Sequence, residues 1–211
     1  MNEIERTIKS INKKEAYEKY IDLWVRGLSD EVRFWTNEFY KDREWWEKQR
    51  GYSPYQYEYD FSYEEYVDGD EVKFLDVGSG PISDCGSRSD KIKVDIEAVD
   101  PLAYVYEKLK EVLGFYTKIT IQYAEVEALT DKYSENQFDI VHIRNALDHS
   151  HNPLLGIMQM LYVVKVGGKV LMNHLDNEAQ NAKYKGLHQW NLQVIDGAFL
   201  LWNREIKINV G

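Results

Sequence analysis

The sequence predicts an α/β protein: a mostly parallel, seven-stranded sheet closed by an antiparallel C-terminal hairpin and preceded by an N-terminal helical extension. Three observations predict it. From residue 70 onward, short apolar runs alternate with helical stretches, the pattern of a parallel sheet with crossover helices. The pattern then changes to two apolar runs, Trp190–Ile195 and Ala198–Trp202, joined by Asp196-Gly197, a strong hairpin signal. Finally, Gly78-Ser79-Gly80 directly follows the first apolar run, at the edge where an α/β sheet meets its ligand.

The expected parallel strands are 72–77, 91–99, 118–123, 138–143 and 168–174, and Glu205–Val210 is the last strand. Helices are expected near 101–113 and 153–165, with a shorter one around 126–134. Lys165-Val166-Gly167-Gly168 reads as a helix stop and a turn into the fifth strand. Ahead of Asp68-Gly69-Asp70, residues 3–50 read as two helices. Ile4, Ile8, Ile11, Tyr17, Tyr20, Ile21 and Trp24 recur at helical spacing, Gly27 breaks the pattern, and Ser29 caps a second helix carrying Val32, Trp35, Phe39 and Trp46. Aromatics alternate through Tyr52–Tyr63, as in a half-buried strand or a loop strapped onto the core. The expected organisation is an extension, 1–69, covering the site of a ligand-binding domain, 70–211.

Composition narrows the function. A net charge of −10 and a pI near 5.0 argue against nucleic acid as the main partner, which normally needs a basic face. No apolar run is long enough to span a bilayer, and the polar N-terminus has no signal-peptide centre. The single cysteine, Cys85, forms no internal disulfide and suits a reducing cytoplasm. The expected partner is a small molecule, with a homodimer compatible with the sequence.

Asp76-x-Gly78-x-Gly80 is where ligand chemistry begins. Glycines there let backbone pass close under a ligand. A dinucleotide fingerprint would place Gly or Ala at the position of Ser83 and would not need an acid ahead of the first glycine. Asp76 can accept hydrogen bonds and offset a cationic group. Asp100 ends the second apolar run, where an acid can hold both ribose hydroxyls, and Pro101 and Leu102 supply an apolar surface after it. Asp95 and Glu97 compete for that role but alternate within the strand, and Asp100 is also a good helix N-cap.

With these residues in place, residues 70–210 resemble the class I S-adenosylmethionine-dependent methyltransferases, of Rossmann-like fold. The E/D-x-G-x-G motif matches Asp76, Gly78 and Gly80, with Ser79 between them, and the family's second-strand acid matches Asp100. Ala124–Leu129 resembles the G-D-A-E-x-L stretch, which implies that Glu125 meets the adenine amino group and Val126 its backbone partner. F-D-x-V matches Phe138-Asp139-Ile140-Val141, and Asn145 follows that strand. The resemblance implies S-adenosylmethionine as cofactor. This chain departs from the family in leaving too few residues after Gly80 for the usual first helix.

Asn145–Pro153 resembles the L-E-H-x-x-D-P stretch of small-molecule methyltransferases, with Asp148 and His149 at the E-H positions. An imidazole titrates near neutrality and suits a general base, so His149, His174 and His188 are the catalytic candidates, each also able simply to shape the pocket. His142, inside the fourth strand, reads as a core histidine. His149, His151, His174 and Asp176 include metal-ligand types, but no recognised spacing supports a metal and none is expected. The resemblance implies O-methylation of a small polar acceptor such as a sugar or surface (capsular) polysaccharide precursor. N-methylation of a small amine and non-catalytic cofactor binding are the alternatives.

Overall fold

Val72, Phe74, Leu75 and Val77 of strand β1 (Glu71–Val77) are all buried, a nearly continuous apolar run of the kind a strand needs when both faces of the sheet are covered. β1 lies at the centre of a five-stranded, wholly parallel sheet. Its other strands are β2 (Lys93–Val99), β3 (Ile121–Gln122), β4 (Phe138–Arg144) and β5 (Val164–Asn173), in the order β3-β2-β1-β4-β5. The strand order reverses between β1 and β4, so the loops leaving these two strands diverge and open a crevice. The computed structural model describes residues 14–41, 62–83, 85, 86, 89, 91–114 and 117–210. Among them, no helix is long and apolar enough to cross a membrane. The expected helical start at Ile4–Ile11, Trp46 and the aromatic run through Phe61 lie outside the described residues.

Alternate residues of β1 serve different faces. Leu75 and Val77 join Val141, Ile143, Leu129, Met160 and Trp190 in the main core, whereas Val72 and Phe74 pack with Tyr63, Cys85 and Ile92. The described residues between Gly80 and β2 form no helix, so that second face is closed differently. Tyr63 is fully buried there, stands edge-on to Phe74 with ring centroids 5.3 Å apart, and donates its hydroxyl to the Gly86 carbonyl.

The N-terminal part corrects the sequence reading. One helix, α1 (Lys14–Lys41), runs unbroken through Gly27 and Ser29. Gly27 is buried against Leu187, where an added Cβ would meet Cδ2 at 2.5 Å; the glycine serves close packing instead of ending the helix. Ser29 Oγ donates back to the Arg26 carbonyl and caps nothing. Tyr20 fixes one end of α1: its ring lies 5.0 Å from that of Trp190, and its hydroxyl accepts from Asn203 Nδ2 at 2.9 Å. Further along, Trp35 and Phe39 pack with Ile82 and with Leu109 and Leu113 of α2 (Ala103–Leu113).

Helix α3 (Pro153–Val163) starts on Asn152, whose side chain accepts from Leu155 N, and covers the sheet with Ile157, Met160 and Val163. It passes directly into β5 at Val164. The register with β4 jumps from Phe138↔Val164 to Ile140↔Lys169, so Lys165–Gly168 is a bulge within β5 and not the expected turn ahead of it. Residues 126–134, expected as a short helix, are partly realised as a 3-10 segment, Val126–Asp131.

The closing strands are a second correction. β6 (Asn191–Ile195), β7 (Ala198–Trp202) and β8 (Lys207–Asn209) form their own three-stranded antiparallel sheet; they do not extend the parallel one to seven strands. Residues 174–190 leave β5 through α4 (Glu178–Asn181) and through Asn177, Lys183, Tyr184 and Gly186, all at positive φ. That path places Trp190, Leu192 and Leu201 face-down on the main core instead of edge-on to β5. The Asp196-Gly197 turn forms as expected, both residues at positive φ (51° and 79°), as a tight two-residue hairpin requires.

Trp190→Ala is expected to lower the unfolding free energy in urea by about 3–5 kcal/mol, because it removes a buried ring joining α1, the small sheet and the core. Val194→Ala, on a side chain 65% exposed in the same sheet, should stay within about 0.5 kcal/mol.

Candidate active site

The turn after β1 is built on backbone that only glycine accepts easily. Gly78 and Gly80 have φ of +64° and +65°, and a Cβ on Gly78 would lie 2.4 Å from that of Ala146, just past β4. The turn is anchored to β2: Gly78 N and Ser79 N donate to the Val99 carbonyl, and Gly80 N donates to Asp100 Oδ2 at 3.0 Å. Asp100 Oδ1 accepts from Leu102 N at 2.8 Å. Burial pushes the Asp100 carboxyl up to about 7, although both backbone donors pull it down; Glu31 and Asp76 add to the rise.

Asp76 faces elsewhere. It is 2% exposed, its Oδ2 accepts from Ser83 Oγ at 2.6 Å, and its Oδ1 meets His142 Nδ1 at 2.9 Å. The carboxylate therefore ties the glycine turn to β1 and β4 from beneath and does not line the cavity. His142 is a buried histidine with a specific partner, more than the core filler expected of it.

Above the turn lies a cavity of about 580 Å³, within the size range of small-molecule and cofactor sites. Val77, Gly78, Ser79, Gly80, Asp100, Pro101, Leu102, Glu125, Val126, Asn145, His149 and His188 all line it, and so does one side of α1. Of the residues expected at the site, Asp76 and His174 do not line it. Its charges are lopsided: Asp30, Glu31, Asp100, Glu125, Glu127 and Glu178 face Arg144 and the imidazoles. Sequence reasoning missed Glu31, Glu127 and Glu178. Glu31 accepts from Trp35 Nε1 within α1, an i,i+4 pair with no local sign of a distant cavity.

Two polar groups stand at the edge of this cavity, each contributing some of its members to the lining. Glu125 accepts from Tyr123 Oη at 2.6 Å, and His151 Nε2 lies 3.8 and 3.6 Å from Glu125 and Glu127. The imidazole beside it holds Glu125 below the usual carboxylate range, whereas complete burial raises Glu127. The second group follows β4. His188 Nδ1 lies 2.8 Å from Asp148 Oδ2, His149 Nε2 lies 3.1 Å from His188 Nδ1, and Glu178 Oε1 is 4.0 Å from His188 Nδ1. The Asp148 bond raises His188, burial notwithstanding. Burial alone would raise Asp148, but His149 and His188 outweigh it and leave this carboxyl low. His174 is half-buried close by with both ring nitrogens shielded; desolvation lowers it to about 4, and neither ring nitrogen has a hydrogen-bond partner. Asp176, considered with the histidines as a ligand type, is not in this group.

A parallel sheet with its crevice at the point of reversal, a glycine turn beneath it and an acid ending the second strand define a Rossmann-like enzyme for a nucleotide-type cofactor. Residues 75–172 match the family described as a methyltransferase domain, which makes the chain similar to the class I S-adenosylmethionine-dependent methyltransferases. Among solved structures it is similar to the YcgJ protein of Bacillus subtilis, at 17% identity, over 63% of this chain and 68% of that one, TM-score 0.43. It is similar also to the trans-methyltransferase CalH in complex with SAH, at 11% identity over 56% and 36% of the two chains, TM-score 0.42. The third is CrArsM, an arsenic(III) S-adenosylmethionine methyltransferase from Chlamydomonas reinhardtii, at 20% identity over 53% and 44%, TM-score 0.38. The chain thus spans only part of the length of the last two. No curated protein matches it in sequence.

The family match implies S-adenosylmethionine as cofactor, and the cavity suits it chemically. The glycines on either side of Ser79 leave room for close backbone approach, Asp100 retains lone pairs for hydroxyl donors, and the acidic lining complements a sulfonium and an ammonium.

Two outcomes follow from this geometry. Asp76→Ala should cost about 2–4 kcal/mol of unfolding free energy, since it removes two buried hydrogen bonds, to Ser83 Oγ and His142 Nδ1. Asp100 gives the second. Hydroxyl donors prefer its ionised form, so S-adenosylhomocysteine affinity measured by calorimetry should rise roughly tenfold from about pH 6 to about pH 8, and Asp100→Asn should be weaker and flat. The same raised carboxyl works oppositely on the ligand-free fold. Its contribution to stability is full below the unfolded value and is lost as pH rises through about 7.

Proposed function

We propose that the protein methylates the hydroxyl oxygen of a small polar acceptor, such as a sugar or surface-polysaccharide precursor. The observation that carries this reading is the Asp148–His188–His149 group, whose two imidazoles line the same cavity as the glycine turn and Asp100, with Asp148 buried behind them. A hydroxyl is a poor nucleophile until its proton is drawn away, and a group of imidazoles backed by a buried carboxylate is suited to that task. S-adenosylmethionine supplies a methyl group on a sulfonium, displaced in line so that the electron pair of the broken carbon–sulfur bond stays on sulfur. The chain's own part is to hold the acceptor oxygen at the Asp148–His188–His149 group, to draw off its proton there, and to cover the reactants with α1.

The same cavity disfavours an amine acceptor. Its carboxylates would attract an ammonium but would also keep it protonated, leaving no lone pair for attack. Radiolabelled methyl transfer to a panel of sugars, sugar nucleotides and amines is the direct test, with product expected from hydroxyl acceptors. His188→Ala and Asp148→Asn should each lower kcat by about 100-fold or more while S-adenosylhomocysteine affinity stays within about threefold. Labelling of amines alone would overturn the hydroxyl assignment, and tight cofactor binding without transfer to any acceptor would favour a non-catalytic binding protein.

A further inference from the structure

Three polar atoms meet beside the cavity in a way that hydrogen bonding explains poorly. Asp148 Oδ2, His149 Nε2 and His188 Nδ1 lie 2.8, 3.1 and 3.6 Å from one another. His188 Nδ1 is the shared atom, close to both others. If neutral His188 carries its proton there, one N–H must serve the carboxylate and the facing imidazole together. If it carries the proton on Nε2, its lone pair points at a carboxylate oxygen 2.8 Å away, which is repulsive. A cation removes the conflict by accepting all three lone pairs.

The spacing fits such an ion. Ligands at about 2.0–2.2 Å from a tetrahedral centre stand about 3.3–3.6 Å apart, and cis ligands of an octahedral one about 2.8–3.1 Å, which bracket the observed set. A second, separate observation is the charge left over. The Asp148 side chain is only 1% exposed, and its other oxygen, Oδ1, has no hydrogen-bond partner. Glu178 Oε2, in the neighbouring carboxylate, is likewise buried and unpartnered. Unpartnered carboxylate oxygens at such depth are costly unless a cation is near.

We infer that Asp148, His149 and His188 form a binding site for one divalent transition-metal cation, with Glu178 beside it as a further carboxylate. Two imidazoles and a carboxylate suit zinc, cobalt or manganese better than magnesium or calcium. Three protein ligands leave a coordination position open. Resting on the hydroxyl-acceptor reading, that position takes the acceptor oxygen, and the ion lowers its proton affinity as a Lewis acid. With the imidazole lone pairs on the ion, the ion replaces the histidines as the activator of that hydroxyl, and the proton passes to solvent or Glu178 as the oxygen–methyl bond forms and the methyl–sulfur bond breaks.

The other convergent groups among the described residues carry no such argument. Asp76, Cys85 and His142 lie beneath the glycine turn with Asp76 already bonded to Ser83, and Glu125, Glu127 and His151 stand at ordinary ion-pair distances.

The test uses the full-length chain, stripped with a chelator and titrated with Co²⁺. One equivalent should bind, with visible absorption of a nitrogen- and oxygen-ligated ion, and Zn²⁺ should displace it. His149→Ala and His188→Ala should each weaken binding by at least about 100-fold, and Glu178→Gln by about tenfold. Metal-free circular dichroism verifies that these variants are folded; should a histidine variant unfold, Asp148→Asn, which keeps the side chain's shape, carries the same expectation. The inference is overturned by no stoichiometric binding to the folded chain, by unchanged affinity in the folded variants, or by thiolate–cobalt absorption placing the ion at Cys85. Metal binding without transfer to hydroxyls would sink the acceptor reading and leave the site standing. Hydroxyl methylation at an unchanged rate in the chelated protein would overturn the ion's Lewis-acid role and leave the acceptor reading standing.

Discussion

The buried carboxylate of Asp76 is the constraint on which the site depends. It sits where β1 and β4 are still paired, opposite His142, and it bonds the hydroxyl of Ser83 on one side and the imidazole of His142 on the other. A side chain with both oxygens engaged at such depth holds the strand end, the glycine turn and the neighbouring strand in one arrangement. Gly78 completes that arrangement, because the turn passes too close to Ala146 for any side chain. The carboxylate thereby shapes the cofactor floor from below. A first helix, which would have buttressed the turn, is absent among the described residues there, and Tyr63, edge-on to Phe74, fills part of the face it would have covered.

Above that floor, the cavity is an electrostatic construction. Six carboxylates line it. Burying several of them is costly, and the cost is visible in Asp100, Glu127 and Glu178, all raised with burial as the largest cause. A cationic cofactor relieves part of that cost, so the lining that strains the ligand-free protein favours the ligand. The group around Asp148 extends the same logic, concentrating lone pairs where positive charge, as a proton or a metal ion, would be held.

Helix α1 walls one side of this site. Tyr20 anchors it to Trp190 and Asn203, Gly27 lets it lie against Leu187, and Trp35 stands over Gly80. Each contact joins residues far apart in the chain. Leu187 and His188 belong to the segment between the two sheets, so the route of that segment fixes both the seating of the helix and the composition of the histidine group.

The sequence alone determined whatever is periodic or local. Alternating apolar runs marked the parallel strands and α2 and α3, Asp196-Gly197 marked the hairpin, and Gly78-Ser79-Gly80 with Asp100 marked the ligand edge, because each depends on the chemistry of a few neighbouring residues. Tertiary structure decided the rest. Gly27 was legible as a helix break only while Leu187 was out of view, and the last strands were legible as strands but not as a separate sheet, since partner choice depends on a whole connecting segment. Asp76 carried the right motif, yet its direction was fixed by Ser83 and His142. His149 and His188 were each visible as histidines in the sequence. Only folding brought them, with Asp148, to one point, because a convergence of lone pairs is a property of distance in space and has no period along the chain.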